Sequence, residues 1–121
     1  MDIFRFIIYL FKLVVCFGCE AKSLEHFNRV VREGLKDRIE VRQEDFFHTQ
    51  LQRADVVTLY LLPEANRLLS KRLLMELPRN ARVVAHDYPI PGWRPTETLR
   101  VKYDGKIHTI YLYHPHLIKR F

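Results

Sequence analysis

Residues 54–66 read ADVVTLYLLPEAN, and this stretch decides the fold class. Val56 to Leu61 is apolar almost throughout, the pattern of a strand covered on both faces. Pro63 then begins a helical stretch. Ala65, Leu69, Leu73 and Leu77 share one face of it, Ser70 is a candidate cap for a second half, and Pro78 closes it. A buried strand that runs into a helix is a unit of parallel α/β architecture.

Reading outward, the same grammar recurs. Ala81 to Ala85 is another strand and leads into the sequence HDYPIPGW. Thr98 to Tyr103 and Ile107 to Tyr113 flank Asp104-Gly105, a strong hairpin signal. Toward the N-terminus, Ile39 to Arg42 is a short strand followed by QEDFF. Before it, Ser23 can cap a helix whose face is Leu24, Phe27, Val31 and Leu35, with Gly34 near its end. Leu13 to Phe17 is a continuous apolar strand that ends at Gly18-Cys19-Glu20. Ile3, Phe6, Ile7, Leu10 and Phe11 recur at helical spacing and predict a helix over residues 2–12, although β-branched and aromatic content leaves a strand open. The expectation is one domain over 1–121, an α/β sheet that is mostly parallel with a C-terminal antiparallel hairpin.

The bulk properties agree with a globular chain of modest core. It has 121 residues, 48% hydrophobic and 28% charged, with a net charge of +6. The basic residues are scattered, so they read as solvated faces and nucleic acid is not an expected partner. The two cysteines form CFGC, Cys16 to Cys19. Such a pair can be redox-active or half of a zinc site, but no second pair exists, and the better reading is two reduced cysteines in a cytoplasmic protein with no metal. Arg5 and Lys12 interrupt the apolar N-terminus, and Phe6 to Phe11 is too short to span a bilayer.

Ligands of open α/β sheets bind outside the carboxyl ends of the strands. The expected strands end on Glu20, on Asp45-Phe46, on Tyr60 to Pro63, and on His86-Asp87. A carboxylate there can accept both hydroxyls of a ribose. A second acid and an aromatic ring can hold an adenine. Any one acid alone reads equally as a cap or a solvated end. Their succession on consecutive strands points to a nucleoside.

These residues resemble the class I S-adenosylmethionine-dependent methyltransferases, a Rossmann-like family. The likeness runs from about Val14 to the C-terminus and is greatest to the small archaeal and mitochondrial-type protein-lysine methyltransferases. VVCFGCE is similar to the second strand with its ribose-binding acid, which gives that role to Glu20. VRQEDFF resembles the motif that meets the adenine, which implies Asp45 and Phe46. ADVVTLYLLPEAN resembles the fourth strand and its loop, with Tyr60 lining the methyl-transfer site. ARVVAHDYPIPGW resembles the fifth strand, with His86 and Asp87 beside the same cleft and Trp93 on the substrate side. HTIYLYH looks like the seventh. The resemblance implies S-adenosylmethionine as cofactor and protein lysine as acceptor.

One departure stands out. The family's first strand carries a glycine-rich loop, and the glycines here are only Gly18, Gly34, Gly92 and Gly105. The expectation is therefore an incomplete sheet that begins after that loop and lacks the central strand. The alternative is a non-catalytic remnant that acts as a binding or association module. An edge exposed beside a missing strand would then favour a homo-oligomer.

Overall fold

The computed structural model describes residues 4–10, 14–17, 32–34, 37 and 39–118. The strands and α-helix fully within the described residues run in the order β1 (Phe4–Leu10), β2 (Val14–Phe17), β3 (Ile39–Asp45), β4 (Val56–Leu59), α1 (Pro63–Glu76), β5 (Arg82–His86), β6 (Glu97–Tyr103) and β7 (Lys106–Tyr113). They form one sheet in the spatial order β3-β1-β2-β4-β5-β7-β6. The helix expected from Ser23 lies outside the described residues.

The parallel content is smaller than the sequence suggested. β2 with β4 and β4 with β5 are parallel, whereas β1 with β2, β1 with β3, β5 with β7 and β6 with β7 are antiparallel. The connections explain much of this. A parallel crossover needs a dozen or more residues. Only residues 11–13 separate β1 from β2, so those two strands run antiparallel.

β1 also corrects the helix expected over residues 2–12. The segment FRFIIYL is dense in aromatic and β-branched side chains, which favour a pleated strand over a helix. β2 is hydrogen-bonded directly to β4, with Val14 opposite Val56 and Phe17 opposite Leu59. Val14–Phe17 thus takes the place beside β4, and β1 separates it from β3.

The core lies between β4, β5 and α1. Val57 and Leu59 of β4, Val83 and Ala85 of β5, and Leu69 and Leu73 of α1 are all buried in one cluster. Burying a leucine fully contributes about 1.5–3 kcal/mol, so the α1 stripe holds the helix to the sheet. The helix is continuous through Ser70, whose hydroxyl donates to the carbonyl of Arg67 and caps nothing. Glu64 likewise pairs with Arg67 rather than capping the helix, for which Leu62 is the N-cap residue without a side-chain bond. Leu77, at the C-cap, ends the helix just before Pro78.

Arg72 ties α1 to the segment that follows β3. Its guanidinium donates to the carbonyls of Phe47 and Thr49 while Glu76 holds it from the same helix. The turn after β3 is thereby fixed relative to β4 and α1.

Candidate functional site

The carboxyl ends of the central strands meet one another at a single edge. β2, β4 and β5 are mutually parallel, and β3 points the same way, because β1 is antiparallel to both β2 and β3. β4 ends at Leu59 and delivers Tyr60, while β5 ends at His86 and delivers Asp87. The antiparallel β7 starts at this edge, so its first half, including His108, lies beside the end of β5.

Side chains from these three strands converge. The rings of Tyr60 and His86 are 4.2 Å apart, and Tyr60 is 45% exposed, so it presents a face to solvent at the mouth of the edge. Tyr88 stacks on Tyr60 at 6.4 Å. His86 Nε2 lies 3.0 Å from His108 Nδ1. His108 Nδ1 lies 3.0 Å from Asp87 Oδ2 and 3.2 Å from Oδ1. The Thr109 amide donates to Asp87 Oδ1, and the Asp87 amide donates to the Thr109 carbonyl. Asp87 is thus locked to β7 by its backbone and its side chain together.

The backbone at Asp87 is itself unusual. Its φ is +63°, in the left-handed region that costs most residues free energy and that aspartate tolerates better. Burial opposes ionisation of its carboxyl. The hydrogen bonds from His108 and Thr109 and the charges of His86 and His108 outweigh that and hold it below the usual carboxylate range. Asp87 is therefore an anion at neutral pH.

The loop after Asp87 is pinned from below. Asn66, wholly buried on α1, donates through Nδ2 to the carbonyls of Tyr88 and Pro89. The Ile90 amide donates to the Tyr113 hydroxyl at 2.9 Å. Trp93 packs edge-on against Tyr113 at 5.5 Å and belongs to the buried core. The resemblance places Trp93 on the substrate side; in the structure its ring is packed in the core.

The structure therefore brings together Tyr60, His86 and Asp87. Asp45 ends β3 and Phe46 follows it at the same edge of the sheet, and Glu20 lies outside the described residues. His108 was not foreseen as a site residue. The signal was in the register: β7 pairs Ile110 with His86, which places His108 one step along the same face.

The family described as the ANTKMT methyltransferase domain matches residues 22–97. The chain belongs to that family. A protein-lysine N-methyltransferase of Saccharolobus islandicus strain REY15A is 35% identical over 89 residues, covering 74% of this chain and 55% of the relative. The mouse adenine nucleotide translocase lysine N-methyltransferase is 33% identical over 64 residues, covering 53% of this chain and 28% of the relative. The chain thus spans about half the length of the first relative and less of the second. Among solved structures, an RNA methyltransferase from Salinibacter ruber in complex with S-adenosyl-L-homocysteine is 30% identical with a TM-score of 0.66, covering 82% of this chain and 63% of that one. The B. subtilis tRNA methyltransferase TrmK, 17% identical with a TM-score of 0.58 over 82% of this chain and 47% of that one, shares the fold. The seven strands of this ANTKMT-family chain therefore belong to the class I methyltransferase architecture. No helix among the described residues is long and apolar enough to cross a membrane.

Proposed function

We propose that this chain forms the acceptor side of an S-adenosylmethionine-dependent protein-lysine methyltransferase, as one domain in the cytoplasm. The observation that carries the reading is the family match over 22–97, the segment that contains Tyr60, His86 and Asp87. Both curated relatives are named as lysine methyltransferases.

The edge fits a nucleoside cofactor in its chemistry. The carboxyl ends of β2, β3, β4 and β5 open on one side, the place where such sheets bind ligands. Glu20, Asp45 and Phe46 are the residues that would hold ribose and adenine. The chemistry S-adenosylmethionine supplies when bound is an electrophilic methyl group. The chain's own residues prepare the acceptor. A lysine amine, with a pKa of about 10.4 in water, must be neutral to act as a nucleophile. Asp87, ionised, attracts the arriving ammonium, and the tyrosine faces of Tyr60 and Tyr88 provide an apolar, cation-accepting wall that orients it. Withdrawal from water favours the neutral amine while the Asp87 charge favours the ammonium, so the amine must give its proton to a base before transfer. His86 stands between Tyr60 and Asp87 and can take and pass the proton.

A second reading is a methyltransferase-like module that binds without catalysis. It is favoured by the lack of two glycines close enough for a cofactor-cradling loop in this sequence. The test is transfer of labelled methyl from S-adenosylmethionine to lysine-containing protein and to RNA, with calorimetric titration of the cofactor alongside. Cofactor binding and lysine labelling are expected, and Tyr60→Ala, an exposed position, lowers labelling by about 100-fold through loss of orientation. Labelling of RNA in place of lysine overturns the acceptor. Absence of cofactor binding leaves the non-catalytic module.

A further inference from the structure

We infer that His86, Asp87 and His108 form a binding site for a divalent transition-metal ion of the zinc or cobalt type. This goes beyond the methyl-transfer reading and does not depend on it. The three ligating atoms, His86 Nε2, His108 Nδ1 and an Asp87 oxygen, lie within 4.8 Å of one another. Their separations are 3.0 Å between the two nitrogens, 3.0 Å from His108 Nδ1 to Asp87 Oδ2, and 3.4 Å from His86 Nε2 to the same oxygen. Atoms about 2.0–2.2 Å from one metal stand about 3.0 Å apart at right angles and about 3.4 Å apart in a tetrahedron. The triangle has the size of one face of such a coordination shell.

Hydrogen bonding alone satisfies this triangle poorly. A neutral imidazole carries one proton, and a hydrogen bond weakens steeply when it bends. If His108 Nδ1–H donates to Asp87, the lone pair of His86 Nε2 faces the same nitrogen 3.0 Å away without a proton of its own. If His86 Nε2–H donates to His108 Nδ1, a lone pair of His108 faces the carboxylate at 3.0 Å. Protonating both nitrogens lets both donate to Asp87, His86 only at 3.4 Å, and leaves two donor nitrogens 3.0 Å apart with no bond between them. A cation accepts all three lone pairs at once.

The donor set gives the class of ion. Two imidazoles and one carboxylate suit zinc, cobalt, nickel or ferrous iron, whereas magnesium and calcium prefer oxygen alone. The surroundings are those of a held site. Thr109 N–H fixes one carboxylate oxygen, and the His86 ring packs on Tyr60. The side chains of His86, Asp87 and His108 are 33%, 25% and 21% exposed, so one side stays open to water or a further ligand. Asp87 joins the triangle from a left-handed backbone, φ +63°. A bound ion occupies the lone pairs that the methyl-transfer reading gives to His86 and Asp87, so the residues serve one role at a time.

The test is calorimetric titration of the full chain with zinc, and with cobalt followed by visible absorption. One equivalent is expected to bind. Asp87→Asn and His108→Ala each weaken it at least about tenfold, in line with the cost of losing even a residue that supports a metal ligand. His108→Gln, which keeps a polar side chain at the position, serves if the alanine variant melts early by circular dichroism. Cys16→Ser with Cys19→Ser, and His114→Ala with His116→Ala, leave the binding unchanged. No binding of either ion, or binding insensitive to His108 and Asp87, or binding lost with the cysteines instead, overturns the inference.

Discussion

The β4–α1–β5 unit and the β6–β7 hairpin are built on opposite terms. In the first, Val57, Leu69, Leu73, Val83 and Ala85 are buried on facing elements, and the strands are held by neighbours on both sides. In the second, every residue of β6 is exposed, including Leu99 and Tyr103. Among the described residues, no strand neighbours its outer edge. β7 joins the two regimes: it pairs with β5 from Ile110 to Tyr113 and with β6 along most of its length. The candidate cluster sits on that seam, with His86 from the buried unit and His108 from the hairpin. Apolar burial and continuous pairing make one side rigid, and the site borrows that rigidity for a side chain carried by the other.

Substitutions can break or sharpen this contrast. The largest effect is expected at Leu69, which is 0% exposed between helix and sheet. Leu69→Ala should lower the unfolding free energy by about 2–5 kcal/mol through lost burial and a residual cavity, measured by urea denaturation. A loss below about 1 kcal/mol would mean that the helix is not anchored by this stripe. An intermediate effect is expected at the seam. Tyr113→Phe keeps the ring but leaves the buried Ile90 amide without its acceptor, so stability should fall by about 1–3 kcal/mol. Burial pushes the Tyr113 phenol up and the Ile90 hydrogen bond opposes that rise; the oxygen accepts this bond whether or not it carries its proton. Equal stability of the two proteins would show that the proline loop is held by other contacts. The smallest effect belongs to the hairpin: Leu99→Ala should change stability by no more than about 0.5 kcal/mol. A drop as large as that at Leu69 would show β6 to be covered in solution, and the contrast would then fail.

The same contrast governed what could be read in advance. Helix α1 was legible because apolar residues at helical spacing lie between Pro63 and Pro78. The hairpin was legible because Asp104-Gly105 supplies two residues that accept positive φ, and both have it, at +52° and +73°. β1 was misread because Phe6, Ile7 and Leu10 satisfy a helical period while the same residues have strong strand preference. Periodicity in so short a segment does not separate the two, and the three-residue link to β2 was the better clue. Tyr60, His86 and Asp87 were visible because each follows an apolar run at a strand end. His108 was not, since its place depends on the register between β5 and β7, set by strands 22 residues apart in sequence at that contact. Asn66 and Arg72 escaped for a related reason: each acts on backbone carbonyls distant in sequence, and no local pattern announces such a bond.

The proposed working face of the molecule is the carboxyl edge of the sheet. Titration of the isotopically labelled chain with S-adenosyl-L-homocysteine, followed by amide chemical shifts, tests it most directly. Saturable shifts are expected at the ends of β3, β4 and β5, around Asp45, Tyr60 and Asp87, with the Asp104-Gly105 turn unmoved. Shifts confined to the opposite edge near Asp55 and Arg82, or no shifts at all, would contradict it.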